Sequence, residues 1–145
     1  MAEVLQGHRV ASGTWGEVWF DNEKLAEVYK FQSKATYTKE EIARCGIMTS
    51  DHKITKISLA GSVGMHKVNS RLAKVVGEQV LQGHDPRISI IGKLDDPDTN
   101  GADYILHEGV SFDDLTLMDW EAGVAGKIEA PFTFASYTYL ESMGD

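Results

Sequence analysis

The chain of 145 residues has the length of one domain, and its 42% hydrophobic and 25% charged residues are an ordinary globular balance. A net charge of −8 argues against a nucleic-acid binder that works by neutralising phosphates. Short apolar runs exclude a membrane-spanning helix, and a single cysteine, Cys45, excludes an intrachain disulfide.

Residues 1–12 show no period and read as an N-terminal arm. They lack a basic stretch followed by an apolar run, so no secretory signal is expected. From Gly13 the pattern alternates, with Trp15, Glu17 and Trp19 on one face and Val18 and Phe20 on the other. Asp21-Asn22-Glu23 is turn chemistry. A long strand-like segment follows, KLAEVYKFQSKATYTKEEI, residues 24–42. Tyr29, Phe31, Ser33, Ala35 and Tyr37 share one face, while Lys30, Gln32, Lys34, Thr36, Thr38 and Glu40 share the other. One apolar and one polar face describe a sheet with water on one side.

ARCGIMTSDH, residues 43–52, breaks the alternation and reads as a loop. KITKISLAGSVGMHKV, residues 53–68, alternates again, with Gly61 and Gly64 marking an expected bulge or bend. One segment is helical, at about 69–82. There Leu72, Val75, Val76 and Val80 form a buried stripe, Asn69 or Ser70 caps the start and Gly83 follows the end. Gly77 costs about 1 kcal/mol relative to Ala, so packing must compensate.

PRISIIGKLDD (86–96) and ADYILHEGV (102–110) are expected to pair as a hairpin. A second hairpin is expected between 111–121 and 124–140, around Ala122-Gly123, with Pro131 at an edge or bulge. The whole reads as a mainly β single domain over 1–145. Its expected architecture is a β-sandwich or barrel of six or seven strands with one flanking helix.

The candidate chemistry is thin. Asp96, Asp98, Asn100 and Gly101 match positions 1, 3, 5 and 6 of a calcium loop. Position 12 is His107 rather than a bidentate Glu, and the flanks are strand-like, so a solvated hairpin turn is expected. The five histidines form no close metal-ligand spacing, and GSVGMHK lacks phosphate-loop spacing. Cys45 beside Gly46, with His52 or His66 as base, is a weak nucleophile motif. Asp113-Asp114 and Asp119/Glu121 are carboxylate pairs with no pocket legible in sequence. No enzyme, cofactor or metal is expected.

Charge divides unevenly. Residues 1–75 hold 11 basic and 8 acidic residues, and residues 76–145 hold 3 and 14. Such a division suits contact between copies of one chain, or simply a solvated surface.

In order, SGTWGEVWFDNEKLAEVYKFQSKATYTKEEI (12–42), HKITKISLAGSVGMHKV (52–68), the helix from Ser70, DPRISIIGKLDDP (85–97) and GVSFDDLTLMDWEAGVAGKIEAPFTF (109–134) resemble one family. It is the tail-tube protein of contractile phages, in the form found in PBSX-like prophages and phage-tail-like bacteriocins. The likeness spans the chain from about Ser12. Its most specific parts are His-Lys-x-Thr at 52–55 and Glu-x-Pro-Phe-Thr-Phe at 129–134.

The resemblance implies a β-sandwich or barrel whose six copies close into a ring, with rings stacked as a hollow tube inside a contractile sheath. The implied partners are further copies of the chain, the sheath protein, and the baseplate (initiator) and terminator proteins. DNA would pass through without specific binding if the particle is a phage, and no membrane anchoring is implied. The implied location is a virion tail or tail-like particle assembled in the bacterial cytoplasm. The polar set Lys30, Gln32, Lys34, Thr36, Thr38 and Glu40 would face the lumen, whose wall is expected to be neutral or acidic. Arg44, Ile47, Met48 and Asp51 of the 43–52 loop would meet a neighbouring subunit, with Arg44 opposite an acidic group of the 76–145 half. A monomeric β-barrel that binds a small apolar ligand is the alternative.

Overall fold

The structure is a computed structural model that describes residues 6–21, 23–24, 27–67 and 70–144. Two 3-10 turns, Gly7–Arg9 and Gly13–Trp15, precede β1 (Gly16–Phe20) and β2 (Glu23–Lys24). Then come β3 (Val28–Ile42), β4 (Asp51–His66), α1 (Arg71–Leu81), β5 (Ile88–Leu94), β6 (Asp103–Phe112), β7 (Lys127–Thr133) and β8 (Ser136–Glu141).

All pairings are antiparallel, in the order β2-β1-β5-β6-β7-β4-β3, with β8 alongside β6. Among the described residues this is one open sheet of eight strands, and not a closed barrel of six or seven. The sheet folds over on itself at β6. Tyr104–Glu108 pair with β8, whereas Ser111 and Phe112 pair with β7. Gly109 makes the change of partner with φ +68, and a Cβ there would meet that of Ala135 at 2.9 Å. A side chain would be strained and crowded at this point, so glycine is required.

The two halves enclose the core: Val18 and Phe20 of β1, Val63 and Met65 of β4, Ile90, Val110, Ala130, Phe132 and Phe134. Phe132 is completely buried, with Phe31, Phe112 and Phe134 rings around it at 5.9–6.2 Å between centroids. His107 joins the halves. Its Nδ1 donates to the Ile90 carbonyl at 3.0 Å, and its Nε2 lies 2.9 Å from the Ser33 hydroxyl, which donates to the neutral ring. Burial pushes the His107 pKa down.

Several expectations need correction. Gly61 does not mark a bulge, because β4 runs unbroken through it. A Cβ at Gly61 would lie 2.2 Å from the Gln32 carbonyl oxygen and 2.8 Å from the Phe132 ring, so the glycine permits close approach. The irregularity lies at the other expected position, beside Gly64, where β3 shifts register between Val28 and Lys30. It carries Tyr29 out of the inward set and onto His66, 4.8 Å between ring centroids. The helix is where it was expected, but of its stripe Val76 is buried while Val75 and Val80 are exposed. The Leu72 side chain and the Asn69 cap lie outside the described residues, and Ser70 makes no side-chain cap. Gly77 faces Leu115, whose Cδ1 is 3.7 Å from an added Cβ, an ordinary contact, so the space here does not require glycine.

The β5–β6 hairpin forms as expected. The second expected hairpin forms only at its base, where Ser111 and Phe112 pair with Thr133 and Phe132, because residues 113–126 hold no strand. β7 also joins β4, and the chain crosses at Phe134-Ala135 to place β8 on β6. Pro131 is tolerated because it sits where the β6 ladder has ended. Its carbonyl, and hence its missing N–H, faces Asp113 beyond Phe112.

Candidate assembly surface

The long hairpin β3–β4 dominates the surface. β3 has 15 residues and β4 has 16, against a usual strand of about 5–6. Their bases, near Phe31 and Val63, lie in the core. From Thr36 to Ser58 every residue but Ser50 is exposed, so this part projects with water on both faces. Among the described residues β3 pairs only with β4, which leaves its other edge open.

Register fixes the two faces, because directly opposed residues share a side. Tyr37 is opposite Ile57, and Lys39 opposite Ile54, on the face that continues the core. The shift between Thr38 and Lys39 leaves Thr55 as the extra residue, its hydroxyl bonded to the Thr38 carbonyl at 3.3 Å. Lys30, Gln32, Lys34, Thr36, Thr38 and Glu40 lie together on the opposite face, all exposed, as the alternation indicates.

Neighbouring strands complete this polar face. Glu40 lies opposite Lys53, Thr38 opposite Lys56 and Ile42 opposite Asp51, while β7 contributes Lys127 and Glu129 beside His66 and Gly64. Five lysines stand against three carboxylates, so the face has a small excess of positive charge rather than the neutral or acidic balance expected. Lys30 donates to Glu129 at 3.0 Å, and that hydrogen bond holds its pKa above the usual lysine value. The Lys127 ammonium sits 5.3 Å from the Tyr29 ring centroid.

The tip connection spans 43–50, since Asp51 and His52 already belong to β4. Arg44 closes it by donating to the Thr49 carbonyl at 3.2 Å. Ile47 is half exposed, Met48 fully exposed, and Cys45 lies exposed beside them. Asp51 accepts from the His52 amide at 2.8 Å. The structure therefore groups Arg44, Ile47 and Met48 at the hairpin end and places Asp51 on its polar face.

The calcium-like stretch is a turn with a structural duty. Buried Asp96 accepts from the Asp98 amide at 2.9 Å with one oxygen and from the Ser12 amide at 2.9 Å with the other. It thereby fixes the turn and ties down the segment before β1. His107, at the position of the missing ligand, is buried in the core. Asp113, Asp114, Asp119 and Glu121 are exposed in the irregular segment 113–126. Among the described residues no three His, Cys, Asp or Glu side chains are grouped to hold a metal. A cleft of about 510 Å³ opens between β1, β5 and β3 where the folded sheet fails to close, lined by Val18, Val28, Phe31, Gly92 and Ile105 among others.

The sequence reading missed a second exposed apolar group. Leu117 is 78%, Met118 83% and Trp120 78% exposed, and Val124 is also exposed. Its alternation imitates a strand, which concealed it.

The model of the phage tail tube protein family matches residues 3–141. Phage-like element PBSX protein XkdM of Bacillus subtilis (strain 168) is 26% identical over 144 residues, covering 98% of each chain. Among solved structures, a chain of the sheath–tube complex of the extracellular contractile injection system PVC, in its extended state, matches with a TM-score of 0.69 at 11% identity over 88% of each chain. A chain of the anti-feeding prophage baseplate matches with a TM-score of 0.64 at 10% identity over 97% of each. At these identities the structural likeness is one of fold, and nothing in the comparisons supports a small-ligand barrel. The family match covers nearly the whole chain: this protein belongs to the phage tail tube protein family and is a structural subunit of a tail tube.

Proposed function

We propose that the chain builds the tube of a contractile tail or tail-like particle, in which six copies close into a ring and rings stack within a sheath. The observation that carries this reading is the projecting β3–β4 hairpin with its open edge. A two-stranded ribbon bathed on both faces is marginal alone, and a 15-residue free edge is a template for another strand. Neighbouring copies resolve both problems if their hairpins join into one closed barrel, which has no edges.

In that barrel the face of Lys30, Gln32, Lys34, Thr36, Thr38 and Glu40 lines a water-filled lumen. The face of Tyr37, Ile54 and Ile57 packs against the outer wall of an adjacent subunit. The small excess of lysine, with Lys30 already paired to Glu129, leaves a wall that passes DNA without holding it if the particle is a phage. Arg44, Ile47 and Met48 contact the next copy. The likeness to chains of a sheath–tube complex and a baseplate supports a sheath and a baseplate, with a terminator, as partners. The particle would assemble in the bacterial cytoplasm. The role is architectural and requires no catalysis.

Negative-stain electron microscopy of the purified chain, alone and with its sheath protein, tests the reading. Rings or tubes with sixfold symmetry are expected. A chain that stays monomeric at high concentration in both conditions would overturn it.

A further inference from the structure

Two exposed apolar surfaces of this chain are chemically matched but cannot meet within one molecule. The first is the hairpin tip, residues 43–50, where Ile47 and Met48 are exposed and Arg44 is the one charged residue, while the flanking strands balance Lys39 and Lys53 against Glu40, Glu41 and Asp51. The second is the segment 113–126, where Leu117, Met118 and Trp120 stand out among Asp113, Asp114, Asp119 and Glu121 with no lysine or arginine. Each has apolar groups that water disfavours, and the Arg44 guanidinium of the tip is opposite in sign to the four carboxylates of the segment.

The segment is anchored at the far end of the hairpin. The Asp113 amide donates to the Pro131 carbonyl, the Lys67 amide donates to the Gly126 carbonyl, and Leu115 rests on α1 at Gly77. Pro131 lies opposite Ser62. From there to Asp51 the strand runs roughly 35 Å at about 3.3 Å per residue. Trp120, seven residues from Asp113, reaches at most about 25 Å even if the chain is fully extended. A subunit's own tip is therefore out of range of its own segment.

We propose that the tip of one copy docks on the 115–124 segment of the next, with Ile47 and Met48 packed against Leu117, Met118 and Trp120 and Arg44 facing Asp119 or Glu121. The contact is head-to-tail. Each copy gives its tip and receives another's, so the chain of contacts propagates without self-limiting at two copies. This rests on the tube reading and adds to it the receiving surface.

Cys45 in the tip supplies the test. Single cysteines are introduced as Leu117→Cys, Met118→Cys, Trp120→Cys and Val124→Cys, with Thr138→Cys on β8 as the control. Circular dichroism checks that each variant is folded. Assembled tubes are oxidised with copper phenanthroline and run on non-reducing gels. At least one of the four positions is expected to yield a ladder of dimers, trimers and higher species, which Cys45→Ser abolishes and Thr138→Cys does not give. Tubes with no ladder at any of the four positions overturn this contact and leave the tube reading intact. Crosslinking that stops at dimers and occurs through Cys45 alone also overturns it. Failure of the parent chain to form tubes under any condition overturns the tube reading, and this contact with it.

Discussion

Phe31 and Tyr37 lie on the same face of β3, six residues apart, in opposite circumstances. Phe31 packs on Phe132 and edge-on to His107, within the core. Tyr37, opposite Ile57, is about half exposed. The strand continues its apolar alternation past the point where its own body ends. Burial in the base holds the fold of one chain, and in the proposed tube the same pattern further out is covered by another. The body and the projecting hairpin should therefore respond differently to mutation.

The largest effect is expected at the centre of the body. Phe132→Ala removes a completely buried ring and should cost about 3–5 kcal/mol in denaturant unfolding, with tube formation lost as a consequence. Gly61→Ala forces a methyl group against the Gln32 carbonyl and the Phe132 ring and should cost about 1–3 kcal/mol. If either variant unfolds like the parent, the core has been misplaced.

His107 sharpens the comparison through pH. Its folded pKa lies below the ordinary 6.5 because burial disfavours the imidazolium. The unfolded chain then binds the proton more readily, so stability is fully present above about pH 6.5 and is lost as pH falls toward the folded pKa. Denaturant midpoints at pH 7.5 and pH 5 should fall further apart in the parent than in His107→Gln. Equal shifts would show that His107 does not couple the sheet halves to pH.

On the hairpin the expectations reverse. Ile57→Lys should change the stability of the isolated subunit by no more than about 0.5 kcal/mol, because the side chain is already exposed. It should abolish tubes in electron micrographs. A variant that assembles normally would mean that this face stays wet in the tube. The smallest effect belongs to the exposed Lys30–Glu129 pair, where Glu129→Gln should leave the unfolding midpoint unchanged in low and high salt.

The sequence shows most clearly those elements whose pattern has one cause. The β5–β6 hairpin, the helix at 71–81 and the polar face of β3 follow from alternation, helical spacing and turn residues. Reading failed where a period is present without burial. Val75 and Val80 form a helical stripe but lie exposed, and the strand-like segment around Leu117 and Trp120 holds no strand. Periodicity reports that like side chains share a face, not that the face is covered. Tyr29 was misassigned for another reason, since a single register shift moves it across the sheet without any mark in composition. Nor does composition show that β6 changes partner at Gly109, a consequence of tertiary folding at one positive φ.

The claim that neighbouring chains complete the hairpin is tested most directly by hydrogen–deuterium exchange on isolated subunits and on assembled tubes. Amides near Val63, Ile90 and Phe132 should be protected in both states. Those of residues 34–42, on the open edge of β3, should exchange rapidly in the subunit and become protected in the tube. Equal exchange of the 34–42 amides in subunit and tube would contradict the account.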